Sequence, residues 1–291
     1  MSLPLVVGTD GSDAALRAVD WAADEAALRG APLRIVYASL LAHYERVVPS
    51  VRTAPASGAV FAEHIVASAS ERCERRHPDL TVSTEILAED PAEGLLGQGR
   101  NALAIVVGNR GRGELAALLL GSVGLSVAAR AQCPVIVVRG EETKPGNGQR
   151  WIALGLGDRG TGTATVDFAF TEAVLRGTGV AVVHAWRSNY PETPTAHTGQ
   201  LDDARQSAQR EAEEWLEEAL RDATAKHPEV RVRREVVEGH ARQSLLDAAR
   251  SAELLVVGAR RRSDAFGLQL GPVNHAMLHH APCPVAVVPH Q

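Results

Sequence analysis

Short apolar runs alternate with amphipathic stretches along the whole chain. Residues 3–8 form a mostly Leu/Val run that ends in Gly-Thr-Asp-Gly-Ser, and an alanine-rich amphipathic stretch follows as far as Leu28. Apolar residues at helical spacing predict a helix there, with Gly30 placed just past its end. Leu33–Ala38 is the next apolar run, followed by a loop and a helix over residues 61–75. Residues 81–87 alternate, 92–99 read as helical, and 102–107 are almost wholly apolar. A helix over 122–131 leads into a last run at 134–138. The order then begins again, with apolar runs at Trp151–Leu156, 180–185, 230–237, 254–257 and 284–288. Strands made of Val, Ile and Leu suit a parallel sheet covered on both faces. Strand–helix alternation therefore predicts an α/β chain of two tandem Rossmann-like doubly wound domains, each a five-stranded parallel sheet flanked by helices, packed as a pseudo-dimer.

The repetition is literal in places. Ile105-Val106-Val107-Gly108 recurs as Leu255-Val256-Val257-Gly258, and Cys133-Pro134-Val135 as Cys283-Pro284-Val285; both offsets are 150 (258 − 108 and 283 − 133). Val19-Asp20-Trp21-Ala22 is echoed by Val166-Asp167-Phe168-Ala169 at 147 (166 − 19). The difference of three is expected as an insertion in the first half. Such self-similarity marks a tandem duplication. The polar, Gly- and Pro-containing stretch 141–148 is the joint, giving domains at 1–143 and 150–291 with a linker at 144–149.

Doubly wound sheets bind ligands beyond the carboxyl ends of their strands, where the winding reverses. After Val107 the chain reads Gly108-Asn109-Arg110-Gly111 and, nine residues further on, Gly121-Ser122-Val123. This is G-x2-G-x9-G-S before a helix. Glycines so spaced let backbone N–H groups converge on an anion. Ser122 falls at a helix N-terminus, where unsatisfied donors and the positive dipole end favour phosphate, and its hydroxyl can cap the helix or donate to an oxygen. A glycine-rich turn with Ser122 as a plain N-cap is the alternative.

With Gly-Thr-Asp-Gly-Ser after the first strand, the long glycine motif after the fourth, and Cys-Pro-Val-Ile-Val-Val as the last, each half resembles a universal stress protein domain. The whole chain resembles that family's tandem type. The family's nucleotide-binding branch holds ATP with this motif. The resemblance implies that Thr9 and Asp10 line the adenine and ribose end and that Ala38 contacts adenine. It places Val107, Gly108, Arg110 and Gly111 along ribose and phosphates, and Gly121, Ser122, Val123 and Gly124 around the phosphates. The family often carries Ser or Thr where Gly124 stands.

The second half departs from the motif. Asp10 becomes Gly157 at the 147 offset, while Gly111 becomes Arg261 and Ser122 becomes Pro272 at the 150 offset. A ribose-binding carboxylate, a close backbone approach, and a hydroxyl with its backbone donor are lost in turn. Only Gly258 and Gly271 remain of the four motif positions. One ATP per chain is expected, in the first half; phosphate binding by the Arg260-Arg261-Arg262 charges is the counter-reading.

Composition narrows the function. Lys+Arg 30 against Asp+Glu 35 gives a net charge of −5, with only 4% aromatic residues, which disfavours a nucleic-acid binder. No apolar run approaches the ~20 residues of a membrane span, and the start shows no secretory signal. Cys73, Cys133 and Cys283, odd in number and without CxxC, argue against disulfides and zinc and fit buried thiols in a reducing cytoplasm. No GxxxxGK[ST] loop or His/Glu base pair stands out, so no catalytic residue or metal site is assigned. His279-His280 fall at a helix end, and Glu213, Glu214, Glu217 and Glu218 read as the wet face of a helix. The expected function is an ATP-binding stress-response regulator, with ATP bound together with Mg2+ and acting as a conformational or partner-binding switch. A weak ATP hydrolase, with Thr9–Asp13 as a distant likeness to the SGGxDS loop, and a nucleotide-independent scaffold are the alternatives. Expected partners are ATP, the other half of the chain, a second chain in a homodimer and an unidentified protein, but neither nucleic acid nor membrane. The segments 43–58 and 187–199, long and containing prolines, are the candidate mobile loops.

Overall fold

The valine- and isoleucine-rich runs fold as strands, and the alanine-rich ones as helices laid across them. The computed structural model describes residues 2–40, 57–111, 120–139, 151–157, 162–186, 198–260 and 270–290. The linker 144–149, most of both candidate loops, and Arg112, Arg261 and Arg262 lie outside the described residues. Two compact units emerge. The first comprises Met1–Gly140, Asp264–Leu270 and Pro284–Pro289; the second comprises Glu141–Ser263, Gly271–Cys283 and His290–Gln291.

In the first unit the order is β1 (Leu5–Gly8), α1 (Asp13–Arg29), β2 (Leu33–Ala38), α2 (Ser57–Arg76), β3 (Val82–Leu87), α3 (Pro91–Gly99), β4 (Ala104–Gly108), α4 (Ser122–Arg130) and β5 (Val135–Val138). Its strands lie side by side as β3-β2-β1-β4-β5 and are parallel, with Val7 set between Ile35 and Val106. Val6, Val7, Ile35, Ile105 and Val106 are fully buried, as strands covered on both faces require. β5 is not a border. Val285–Val287 of β10 (Val285–His290) pair antiparallel with Val135–Val137.

α1 shows why its sequence is helical. Ser12 caps it, accepting the Ala15 amide at 3.3 Å, and Gly30 ends it in the left-handed conformation at φ 60°. The inner face is alanine-rich: Ala14, Ala15, Ala18, Ala22, Ala23 and Ala26 are buried with Val19, so the helix backbone can lie close to the sheet. The outer flank is tied to α2 by Asp20–Arg72 and by Asp24 with Arg76 and His77, the last two at 2.5 and 2.7 Å. Burial works against the charged form of Asp24. Hydrogen bonds from Arg76 and His77 outweigh it and hold the carboxyl below its ordinary range. Burial pushes the nearby Cys73 thiol up to about 12, consistent with an inert core residue. All three cysteines are free and buried.

The second unit follows the same plan with β6 (Trp151–Leu156), α5 (Thr163–Arg176), β7 (Gly179–Trp186), α6 (Thr198–Lys226), β8 (Val232–Glu238), α7 (Ala241–Ala249), β9 (Ala252–Arg260) and α8 (Pro272–His280). Its parallel strands run β9-β6-β7-β8, and Leu154 lies between Val182 and Val256 as Val7 does between its neighbours. Register locates the insertion. Leu33 pairs with Val82 (82 − 33 = 49), whereas Val180 pairs with Val232 (232 − 180 = 52). The three extra residues therefore lie in the second half, between β7 and β8, not in the first half as expected. The C-termini of α2 and α6 still correspond at 150 (226 − 76), so the extra length precedes the end of α6, which has 29 residues against 20 in α2.

Both units also share a device that apolar patterning does not reveal. Glu25, 3% exposed, pairs with Arg29 at 2.5 Å, and Glu172, 1% exposed, pairs with Arg176. Each pair joins adjacent turns of the first helix of its unit.

Candidate functional site

The winding of the first unit reverses between β1 and β4, so the segments leaving these two strands flank one crevice. The chain leaving β1 is braced from within. The buried Thr9 donates its amide to the Val36 carbonyl at 2.9 Å, and its hydroxyl accepts the Gly11 amide at 3.2 Å. Asp10 Oδ1 accepts the Ser12 amide at 2.9 Å, an Asx turn that leads into the Ser12 cap of α1. The other carboxylate oxygen faces the loop after β4. A β-carbon at Gly111 would lie 2.6 Å from Asp10 Oδ2, so only glycine leaves this carboxylate in place.

Gly108 ends β4 under the first turn of α1. A β-carbon there would lie 2.6 Å from the Ala14 carbonyl oxygen and 2.7 Å from its carbon, a backbone clash that no side-chain rotation relieves. The loop returns through Asn109, whose amide donates to Val138 at 3.1 Å and whose carbonyl accepts the Gly121 amide at 2.9 Å. α4 then starts at Ser122. Gly121, not Ser122, is its N-cap, and among the described residues no side chain caps this terminus. The alternative of Ser122 as a plain N-cap does not hold: Ser122 is the first helical residue, exposed, and its hydroxyl does not cap the helix. The first-turn amides of Ser122, Val123 and Gly124 point beyond the helix end with no intrahelical acceptor.

The structure thus gathers Thr9, Asp10, Gly108, Gly111, Gly121, Ser122, Val123 and Gly124 at the ends of β1 and β4 and the start of α4. Gly124 is buried, and its β-carbon position lies 3.6 Å from the Gly108 carbonyl oxygen. Val107 is buried behind them. Ala38 stands one strand away at the end of β2, its methyl 3.3 Å from the β-carbon position of Gly94 in α3. Arg110 is exposed. The two lysines of the chain, Lys144 and Lys226, belong to neither segment, so among the described residues of these segments positive potential comes from Arg110 and the α4 dipole. Ser12 and Asn109 are the contributors that motif reading passed over. The Ser-Asp pair at residues 12–13 is a recognisable capping signal; the Asn109 role is carried by its backbone and leaves no trace in residue type.

The corresponding positions in the second unit are built otherwise. Gly155 corresponds to Gly8 by register, Leu156 to Thr9 and Gly157 to Asp10. β9 continues as strand to the exposed Arg260, and α8 begins with Gly271 as N-cap and Pro272 in its first turn. The expected helical glutamates of α6 are exposed; Glu217 pairs with Arg234 at 2.6 Å and Glu218 with Arg221. Among the described residues, no group of three or more His, Cys, Asp or Glu side chains is placed to hold a metal ion. No helix among them is long and apolar enough to cross a membrane.

The model of the universal stress protein family matches residues 1–139 and again 152–289. The chain belongs to this family. A universal stress protein of Mycolicibacterium smegmatis is 31% identical, covering 98% of this chain and 96% of the relative. One from Mycobacterium tuberculosis is 32% identical over 97% of this chain and 96% of its own length. The fold is also that of a crystallised universal stress protein from Archaeoglobus fulgidus, at TM-score 0.65 and 14% identity, covering 99% of this chain and 98% of that one. Two universal stress protein domains in tandem, each with strands and helices in the expected order, are therefore established.

Proposed function

We propose that this universal stress protein binds one ATP, together with Mg2+, in its first unit, and that occupancy switches its conformation or a partner-binding surface during stress. The observation that carries the reading is the convergence of the Asp10 carboxylate on Gly111 beside an uncapped α4 N-terminus. Such a terminus is an anion site by geometry and dipole. In this reading the amides of Ser122, Val123 and Gly124 donate to phosphate oxygens, and Gly108 and Gly111 let the backbone come close. Ser122, freed from capping, offers its hydroxyl. Thr9 and Asp10 meet the ribose and adenine end, Ala38 the base, and Arg110 offsets phosphate charge. A magnesium ion would reduce the repulsion between the phosphates and Asp10.

The residues serve binding rather than turnover. Phosphoryl transfer needs a group that orients the attacking nucleophile and cations that stabilise the transferred charge, and the reading assigns no side chain to the former. Ligand occupancy alone stabilises the bound state by roughly 2.7 kcal/mol at a hundredfold excess over Kd, enough to bias a loop or an interface. A cytoplasmic regulator that pairs with a second chain or with another protein fits this role. The test is to incubate the purified protein with ATP and magnesium and to measure retained nucleotide and released phosphate together. Retention without appreciable release is expected. Turnover near the enzyme median of ~10 per second contradicts the reading in favour of a hydrolase, and absence of retained nucleotide contradicts it in favour of a scaffold.

A further inference from the structure

At the 150 offset, Gly124 corresponds to Asn274 (274 − 124), three residues into α8 as Gly124 is into α4. Asn274 is 9% exposed, and its side-chain Nδ2 donates to the Gly258 carbonyl at 2.8 Å. Gly258 in turn corresponds to Gly108, whose carbonyl lies 3.6 Å from where a side chain at Gly124 would begin. The same two backbone positions thus lie close together with no side chain between them in the first unit and are bridged by an amide in the second. The neighbouring strand end is bridged as well. His184 Nδ1 lies 3.1 Å from the carbonyl of Leu156, the counterpart of Thr9, with the imidazole buried against Trp215 at a ring separation of 4.4 Å.

We propose that Asn274 is an internal latch that closes the second unit's cradle to phosphate, a block added to the losses at Gly157, Arg261 and Pro272. The inference rests on the reading that the first unit binds ATP. Its physical basis is occupancy. A buried amide committed to the Gly258 carbonyl ties the first turn of α8, whose counterpart amides in α4 would meet phosphate, to the end of β9. Moving that turn to admit a ligand leaves the carboxamide and the carbonyl without their bond, and a buried polar group left unmade is costly. Pro272 removes one helix-terminal donor besides. Ordinary motif comparison points to Gly157, Arg261 and Pro272; the latch adds a residue that blocks rather than one that is merely missing.

The test is to transplant the latch. Gly124→Asn in the full-length protein is expected to weaken ATP binding at least tenfold by equilibrium dialysis, because the new amide reaches the Gly108 carbonyl. In parallel, Asn274→Ala is expected to lower the melting temperature while ATP affinity stays within twofold of the parent chain. Wild-type affinity in Gly124→Asn overturns the latch and leaves the nucleotide reading standing. An unchanged melting temperature in Asn274→Ala overturns it independently, even if Gly124→Asn does not fold. Absence of ATP binding to the parent chain is the distinct failure of the underlying reading, and the latch falls with it.

Discussion

The two units share their framework and differ at their crevices. Both place a valine or leucine of the first strand between equivalent neighbours, both end the first helix in a left-handed glycine, Gly30 and Gly177, and both bury a Glu–Arg pair one turn earlier. Beyond the strand ends the likeness stops. The first unit turns a carboxylate toward a glycine and starts α4 on Ser122, although α4 and α8 alike follow a glycine N-cap that makes no side-chain cap hydrogen bond. The second extends β9, starts α8 on proline and bonds Asn274 to the strand. Elements that hold the fold have therefore been kept in both copies, while those that would receive a ligand are intact in one. On the proposed reading, duplication separated a binding unit from a structural partner of the same fold.

The comparison can be attacked first at what is shared. Removing the arginine of a pair whose glutamate is buried takes away part of what compensates that charge, at a cost of up to about 3 kcal/mol. Arg29→Ala and Arg176→Ala should each destabilise the chain by that order in chemical denaturation. Arg176→Ala should be the worse, since Glu253 lies 3.8 Å from Arg176 and two carboxylates would then be left together. A negligible effect of either would remove the pair from the common framework.

Next comes the crevice itself. Gly108→Ala forces a β-carbon against the Ala14 backbone, which should cost roughly 1–3 kcal/mol as overpacking does and abolish nucleotide retention. Asp10→Ala removes a site carboxylate and the Ser12 acceptor. It should reduce ATP affinity about tenfold, near 1.4 kcal/mol, in a titration by calorimetry, and leave the second unit's hydrogen-exchange protection as it was.

The smallest expected effect concerns a feature confined to the first unit. Asp24 pairs with Arg76 and His77, whereas its counterpart at the 147 offset is Thr171. Because the folded pKa of Asp24 is depressed, its contribution is present above the ordinary value of 3.8 and is lost as pH falls through the folded value. Asp24→Asn should therefore cost below about 1 kcal/mol at neutral pH, as half-exposed pairs do, and the gap to wild type should close below pH 3.8. A gap that persists in acid would assign the effect to packing instead of charge.

Much of this was legible beforehand. β2 and β6 coincide with their apolar runs, and Gly30 ends α1 as its position past the last periodic residue predicts. The glycines at 108 and 111 pointed to the crevice because close approach restricts residue type there, whereas a β-carbon at Gly121 would meet nothing nearer than 3.8 Å. Three features were hidden. The place of the insertion, between β7 and β8, is fixed by strand register, since the Leu33–Val82 and Val180–Val232 pairings count the residues between strands; its side follows already from the longer spacing Val166–Cys283 (283 − 166 = 117) against Val19–Cys133 (133 − 19 = 114). Glu25 and Glu172 look like ordinary helix charges, and their burial depends on how the helix rotates onto the sheet. Asn274 replaces a glycine without breaking the helical pattern, so its bond to a carbonyl sixteen residues upstream has no local signature.

The central claim is that one of two like-folded units holds the nucleotide. Native mass spectrometry of the full-length chain with ATP tests it most directly, comparing wild type with Gly111→Arg, which gives the first unit the residue found at Arg261 in the second. The account predicts one ATP on the wild-type chain and none on the variant. Two ATP on the wild-type chain, or one retained by Gly111→Arg, would contradict it.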